Sequence, residues 1–356
     1  MSRLVKVNII DEATKAPTGE VEEVLMNDAV ENLVNQGILM NDDEGIFFQR
    51  QLEYIQAQSY DQLYPELKAR SIFALNTEGG EGVNQITYRS YDKRGKAVVI
   101  SGKATDLPRA DIDGKEFTID VRTLGNSFGY SRQELAASRL TGMPLEARKA
   151  EAARRAYEEK VNQLVWFGEA DSNLGGLFSG PAGKPWSFIS NSQVADSAIG
   201  GDHTWGGNKT PDEVIADLTT ACAAMFSQTL MIHRPNKILM SVSKYQYIMN
   251  TPRSLQSDVS ILDWFVRNNE FITNRSQIEA VNELSGVFGA TPGPGGGSEG
   301  FVVMEEKSDN MRVREPFPYI HIPVQYKGLE FEINCYGRFA GLEIIRPQAI
   351  DFWYGI

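Results

Sequence analysis

The 356-residue chain is short of the residues that carry several common chemistries. It has two cysteines, Cys222 and Cys335, too few for a disulfide scaffold or a zinc ribbon. They fit a reducing compartment, and a single bridge stays open. It has three histidines, His203, His233 and His321, none in a helical i, i+4 pair, so metal ligation is not expected. No apolar run approaches the roughly 18 residues of a membrane span. Basic residues are outnumbered, 35 Lys and Arg against 47 Asp and Glu, for a net charge of −12. A field of that sign repels phosphates and excludes general nucleic-acid binding. The first ten residues carry Arg3, Lys6 and Asn8 and stop at Asp11 and Glu12, which is no secretory signal. A soluble protein kept in a cytoplasm is the expectation.

What is present is ordinary globular composition, 42% hydrophobic and 23% charged, enough to bury a core. The length implies about two domains. Arg3 to Ile10 alternates like a strand. Glu20 to Gln36 has Val21, Val24, Leu25, Leu33 and Val34 near helical spacing and predicts a helix. A second helix, capped by Asn41 to Glu44, carries Ile46, Phe47, Phe48, Leu52 and Ile55 and ends before Pro65. Val83 to Ser90 reads as a strand, Tyr91 to Gly95 as a turn and Lys96 to Ser101 as a returning strand. That hairpin has few core residues and is marginal alone. It is expected to lean on a neighbour.

From Leu145 to Phe167 there is no glycine or proline, and high-propensity residues dominate. Pro144 suits the first turn, and Gly168 ends a helix of roughly 35 Å. Leu145, Ala152, Ala156, Val161, Leu164 and Val165 are expected on one side. Residues 171–210 are rich in loops. Thr210-Pro211-Asp212-Glu213 is a capping box with proline at the first helical position, opening a helix to about Gln228. Lys237 to Ser241 reads as a short buried strand, and Lys244 to Asn250 and Asp258 to Asn268 as helices. Phe301 to Met304 and Tyr319 to Ile345 carry the late strands. Thr291 to Gly300 reads as a flexible surface loop.

Three motifs only imitate active sites. Gly296-Gly297-Ser298-Glu299-Gly300 fits a hydrolase elbow, with Asp309 and His321 following. An elbow needs a strand before the serine and a helix after it, and here a proline–glycine loop precedes and a strand follows. Asp111-Ile112-Asp113-Gly114 lacks the twelve-residue calcium pattern and reads as a turn between strands. Gly180 to Lys184 resembles a phosphate loop, but Phe178 and Pro185 occupy required positions. Acidic pairs such as Glu22/Glu23, Glu158/Glu159 and Glu305/Glu306 read as solvated faces or a strand end. Catalytic, cofactor and metal sites are all expected to be none, and the chain is not expected to be an enzyme.

The order of parts resembles tailed-phage major capsid proteins with the Hong Kong 97-type fold. The residues that carry the resemblance are local: Phe48-Gln49-Arg50-Gln51-Leu52-Glu53; Gln85-Ile86-Thr87-Tyr88 leading to Asp92 and Gly95; Asp106-Leu107-Pro108-Arg109-Ala110-Asp111; Tyr130-Ser131-Arg132-Gln133-Glu134-Leu135; and Phe167-Gly168 with Gly175-Gly176-Leu177. The resemblance implies an α+β fold with an N-arm over 1–45 and a peripheral domain over 46–75 and 119–209, including a spine helix at 144–167. It further implies an extended β-hairpin, the E-loop, over 76–118, a mixed α/β axial domain over 210–318, and closing strands over 319–356 returning toward the peripheral domain.

The implied function is self-assembly, as hexamers and pentamers, into the icosahedral head around double-stranded DNA. The implied partners are copies of itself, a portal protein, a separate scaffolding protein or none, a decoration protein, and DNA bound without sequence specificity. About 45 residues precede the first core helix, which argues against an internal scaffold. No membrane partner is expected. The implied place is the virion, assembled in a bacterial cytoplasm. The mixed-sign cluster Arg89, Asp92, Lys93, Arg94 and Lys96 is expected at the hairpin tip, against an adjacent subunit. Lys93, Lys96 and Lys103 lie where the founding member draws its lysine–asparagine cross-links, but no partner set is evident and no linkage is expected. The alternatives are an encapsulin-type nanocompartment, another virion component, and a hydrolase built on Ser298.

Overall fold

The computed structural model describes residues 3–10, 17–26, 63–99, 102, 107–142, 145–198, 200–254, 256–289, 292–293 and 297–356. The chain divides into two compact units, Met1–Pro65 and Glu66–Ile356. In the first, β1 (Arg3–Ile10) pairs antiparallel with β2 (Pro17–Met26), from Arg3 opposite Met26 to Ile10 opposite Pro17. The helix expected from Glu20 is therefore a strand as far as Met26. Val21 and Val24 favour strand, and a partner segment a few residues upstream decides between two readings of VEEVL. The remainder of that expected helix and most of the next, through residue 62, lie outside the described residues.

The second unit is built on long-range pairing around one long helix. Its first elements are α1 (Ala69–Ile72), β3 (Leu75–Asn76), β4 (Gln85–Arg94), β5 (Asp111–Asp120) and β6 (Arg122–Ser131). Then come α2 (Arg132–Thr141), opened by a reciprocal Ser131–Glu134 capping box, and α3 (Leu145–Phe167), the expected rod. Its fully buried residues lie in the C-terminal half, Tyr157, Val161, Leu164, Val165 and Trp166, while Leu145 at the other end is half-buried against the Tyr130–Ile333 cluster. Ala152 and Ala156, expected on that side, are exposed. The stripe follows i, i+4, i+7 from Tyr157, and both alanines fall one position off it.

Gly168 ends α3 with φ +66°, and a Cβ there would stand 2.6 Å from the Leu174 carbonyl oxygen. The chain then folds back on the helix end, Leu177 N–H donating to Val165 O at 2.8 Å and Phe178 N–H to Trp166 O at 3.0 Å. This return brings the backbones of Gly168 and Gly176 into direct contact, which accounts for glycine at both.

The remaining elements are β7 (Ser190–Gln193), α4 (Pro211–Gln228), β8 (Lys237–Met240), α5 (Val242–Asn250), α6 (Ile261–Asn268), β9 (Ile278–Ala280) and β10 (Gly300–Met304). They close with β11 (Met311–Arg314), β12 (Phe317–His321), β13 (Gln325–Lys327), β14 (Glu330–Phe339), β15 (Gly341–Ile344) and β16 (Ile350–Tyr354). The Thr210–Glu213 capping box opens α4 as expected, and the helix ends at Gln228.

A five-stranded mixed sheet, in the order β7-β16-β10-β8-β9, lies between two cores. Val302 and Met304 of β10 join the core that contains Val161, Leu164, Val165 and Trp166 of α3. Phe301 and Val303 join the core that contains Val214 and Leu218 of α4, Ile248 of α5 and Phe265 of α6. A strand covered on both faces must be apolar throughout, which is why Phe301 to Met304 is legible as an unbroken run. A second sheet is led by β14, which runs antiparallel to β6 over ten pairs, from Glu330 opposite Ser131 to Phe339 opposite Arg122.

The hairpin corrects the expected turn. β4 continues through Asp92, Lys93 and Arg94, and its partner is β5, not Lys96–Ser101. Lys96 to Val99 form no strand, and Asp111-Ile112-Asp113-Gly114 is strand rather than turn. The local turn signal at Asp92–Gly95 loses to a ten-pair ladder whose base brings Ile86 opposite Ile119 and stacks Tyr88 on Phe117, with ring centroids 5.2 Å apart. Both cysteines are free and buried, Cys222 in the α4 core and Cys335 on β14. Burial pushes the Cys222 thiol up to about 12, so it is inert. No described helix is long and apolar enough to cross a membrane.

Candidate assembly interface

The β4–β5 ribbon is the segment with no core of its own. Among the described residues from 85 to 120 none is buried. Ten-residue strands reach about 34 Å, at roughly 3.4 Å per residue. Cross-strand partners share a face. One face carries Ile86/Ile119 and Tyr88/Phe117 near the base, then Ser90/Lys115, Asp92/Asp113 and Arg94/Asp111. The other carries Thr87/Thr118, Arg89/Glu116, Tyr91/Gly114 and Lys93/Ile112. Tyr91, Ile112, Val98, Val99 and Leu107 are exposed apolar residues of this arm.

Among the described residues the hydrogen bonds that tie the ribbon to the body lie at its base. Val121, buried, donates its N–H to Asn84 O at 2.9 Å, and Arg338 donates to Asn84 Oδ1 at 2.7 Å. Asp120 accepts from Asn173 at 2.8 Å and from Gln85 at 3.0 Å. Those two hydrogen bonds, Asn173's first, hold its carboxyl below the usual range. Half-burial raises the Tyr88 hydroxyl, and Glu343 adds to the effect.

Of the five residues singled out by sequence, Arg89, Asp92, Lys93 and Arg94 stand on β4, and Lys96 lies just beyond it. The structure brings them onto one ribbon but uses some of them internally. Arg89 pairs with Glu116 at 2.7 Å. Asp92 and Asp113 face each other across the ladder, and Arg94 reaches both, at 3.4 Å and 3.1 Å, relieving the like-charge contact. Lys93 and Lys96 have no ion-pair partner among the described residues.

Ser298 and His321 of the hydrolase-like motif are engaged by other groups. Ser298 donates its hydroxyl to Phe288 O at 2.7 Å, while His321 packs edge-on against Phe128 and Tyr319. No group of three metal-binding side chains occurs among the described residues. The buried ionic groups lie elsewhere, in places sequence reasoning missed. His233 meets Glu305 at 2.6 Å. Burial works to raise the Glu305 pKa, but Lys307, His233 and Asn310 outweigh it, and the carboxyl titrates below its usual range. Lys209 and Trp205 both reach Asp217. Arg312 and Arg314 share Glu343, which the register places across from Arg312. These are ion-pair networks inside the body. An exposed ribbon with no core of its own is the arrangement of a building block.

Residues 95–356 match the major capsid protein family. The chain belongs to that family. Among solved structures it is similar to the capsid of Myoviridae phage XM1, at 19% identity and a TM-score of 0.71, covering 88% of this chain and 100% of that one. It is also similar to the capsid of the native GTA particle, at 10% identity and a TM-score of 0.56, covering 89% and 99%. A third likeness is to the mature capsid of bacteriophage PhiM1, at 13% identity and a TM-score of 0.52, covering 85% and 91%. At such identities the likeness is one of fold, and the mixed helix-and-sheet architecture expected from the sequence is that of phage capsid subunits. No curated protein matches the chain. As a major capsid protein it is a structural subunit of a phage head, associating with copies of itself in the virion capsid.

Proposed function

We propose that the chain tiles the icosahedral head of a tailed phage as hexamers and pentamers around double-stranded DNA, with no catalytic step of its own. The observation that carries this reading is the β4–β5 ribbon, twenty strand residues without one buried side chain in a chain of the capsid family. A ribbon of this kind is marginal alone and gains stability when a neighbour covers it. Reach from one copy onto a different surface of the next is a head-to-tail contact, which closes into rings. The parts follow the Hong Kong 97-type plan, with N-arm 1–45, peripheral domain 46–75 and 119–209, E-loop 76–118, axial domain 210–318 and closing strands 319–356.

In this reading Arg89, Asp92, Lys93, Arg94 and Lys96 meet the adjacent subunit. Lys93 and Lys96 form new charge pairs, and the others hold the ribbon's shape. A net charge of −12 keeps the shell from adhering to packaged DNA. Assembly takes place in the host cytoplasm, with a portal protein and, where present, separate scaffolding and decoration proteins. The test is negative-stain microscopy of the chain expressed alone and with its scaffold. Closed shells are expected. Particles holding a folded cargo protein in place of DNA support an encapsulin-type compartment and overturn the phage-head reading, as does a chain that stays monomeric at high concentration.

A further inference from the structure

A groove of about 710 Å³ opens beside the sheet led by β14. It is lined by Phe128 of β6 and Ile333 of β14, which stand opposite each other in the ladder. Leu135 of α2, Leu145 of α3, and Pro323 and Val324 between β12 and β13 line it further. The core beneath is thin. Among the described residues its buried members are Tyr130, Ile333 and Cys335, while Phe128, Leu135 and Leu145 are only half-buried. Large apolar side chains are thus left partly in water at an open groove, a feature that marks a contact surface. Glu146, in the first turn of α3, is the carboxylate that lines it. Glu146 is exposed and has no ion-pair partner among the described residues, and Lys149, one turn on, is taken by Glu134 at 3.0 Å.

One face of the β4–β5 ribbon has the matching chemistry. Nearer the base its residues satisfy one another, Thr87 with Thr118 and Arg89 with Glu116. Beyond them Tyr91 stands opposite Gly114, and its ring lies across the ribbon, 3.4 Å from where a Cβ on Gly114 would be. Ile112 follows, opposite Lys93. The result is a flat apolar plate, with Tyr91 64% and Ile112 61% exposed. It is bordered by the ammonium of Lys93, which has no ion-pair partner among the described residues.

Groove and plate belong to one unit yet do not meet within it, since Tyr91 and Ile112 stay exposed and the groove stays open. A separate protein could fill the groove but would leave the plate in water, whereas a second copy of the chain covers both. The volume falls within the roughly 300–1,000 Å³ of sites that enclose small molecules, so an aromatic ring and a branched side chain fit. Two residues along a strand span about 7 Å, so Lys93 reaches past Tyr91 toward a carboxylate at the rim. The other ribbon face is unsuited. It gathers Asp92, Asp111 and Asp113 around Arg94, and a groove that is apolar and carries its own carboxylate disfavours it.

We propose that this groove receives the distal ribbon of a neighbouring copy, Tyr91 and Ile112 packing against its apolar lining while Lys93 pairs with Glu146. The inference rests on the proposed shell assembly and names the surface that the ribbon meets. The experiment exchanges the two charges. Lys93→Glu and Glu146→Lys each set like charges against each other, and each should raise the concentration needed for shells about tenfold or more. The double variant carrying both changes restores the pair in reverse and should assemble within about twofold of wild type. Both side chains are exposed, so circular dichroism should match wild type in all three variants.

Independently of those variants, carbodiimide treatment of wild-type shells built from isotope-labelled and unlabelled chains, followed by peptide mapping, should join Lys93 to Glu146 in mixed pairs. The same link should be absent from dissociated subunits. Single variants that assemble at the wild-type concentration overturn the inference, as does a double variant that assembles no better than the single ones. So do wild-type shells in which Lys93 and Glu146 couple only to other groups or to nothing. Wild type that forms no shells at all brings down the assembly reading, and this inference with it.

Discussion

Excising the distal ribbon tests whether it belongs to the body or to the next subunit. The cut has to be symmetric. Removing residues 90–96 alone would leave the β5 segment 111–115 without its ladder partner, because Ser90 faces Lys115 and Arg94 faces Asp111. Replacing Ser90–Lys115 with Asn-Gly joins Arg89 to Glu116 through a two-residue turn suited to a hairpin. It keeps the Arg89–Glu116 pair, the contact between the Thr87 and Thr118 hydroxyls, and the Tyr88–Phe117 stack. Among the described residues the ion pairs lost are the Arg94 contacts to Asp92 and Asp113, whose side chains are all more than half exposed, worth about 0–1 kcal/mol each. Among the described residues of the excised span none is buried, so none of them gives up a core contact. The isolated subunit should therefore unfold within about 1–2 kcal/mol of wild type, measured by urea denaturation at a concentration too low for assembly. Sedimentation velocity and negative-stain microscopy should then show subunits and no closed shells. Shells of normal size from the truncated chain would refute the reasoning. So would a truncated chain that fails to fold, since that would make the ribbon part of the core.

Three other perturbations probe the body. Gly176→Ala should destabilise the subunit by about 1–3 kcal/mol or more, because the new Cβ meets the Leu164 carbonyl oxygen and the Phe167 carbonyl carbon at 2.8 Å, both unyielding backbone. A urea midpoint equal to wild type would show that the return after α3 can shift. His233→Ala strips a hydrogen-bond partner from buried Glu305 and should cost about 1–3 kcal/mol. A loss below about 1 kcal/mol would mean that Lys307 and Asn310 suffice. Asp351→Asn should stabilise the unassembled subunit at alkaline pH. Burial pushes the Asp351 carboxyl up to about 6, above the roughly 3.9 of an unfolded aspartate, so the native state binds the proton more tightly. The stability that Asp351 contributes is present below about pH 4 and is lost as pH rises through 6. The asparagine variant escapes that loss, with a gain of at most about 3 kcal/mol above pH 7 and about none at pH 4. Thermal unfolding across that range checks the sign, and a gain independent of pH would refute it.

The parts of the fold that could be read in advance are those fixed within a few residues. The Thr210–Glu213 box, with Pro211 in the first turn, contains its own hydrogen-bond partners and opens α4 where expected. Phe301 to Met304 announces a strand covered on both faces by its unbroken apolar run. What could not be read is decided by distant partners. Asp92-Lys93-Arg94-Gly95 has the chemistry of a turn, yet residues 111–115 recruit it into a strand. Val21 to Leu25 satisfies a helical period, but β1 is there to pair with it. The ribbon's lean composition is a property of the sequence. The engagement of Arg89 by Glu116, 27 positions later, is not. Nor is the burial of Asp351, which sits on a strand flanked by β7 and β10.

If the head is built of rings of five and of six as proposed, the ribbon's shallow anchorage bears on how one sequence serves both. The two rings demand different angles between neighbours, and a packed interior does not bend by small amounts. The five-stranded sheet is held between two cores, on α3 and on α4 to α6, so any adjustment has to come from outside it. The ribbon leaves the body through one buried residue, Val121, and a few hydrogen bonds at Asn84 and Asp120. Polar anchors tolerate modest changes of direction at little cost, whereas side chains interlocked in a core do not. The elements that vary between ring types should then be β4 and β5 pivoting about Asn84 and Val121, with β7, β16, β10, β8 and β9 superimposing. Density for the two ring types in a single assembled shell makes the comparison. A sheet that distorts while the ribbon keeps its angle to it would place the joint elsewhere.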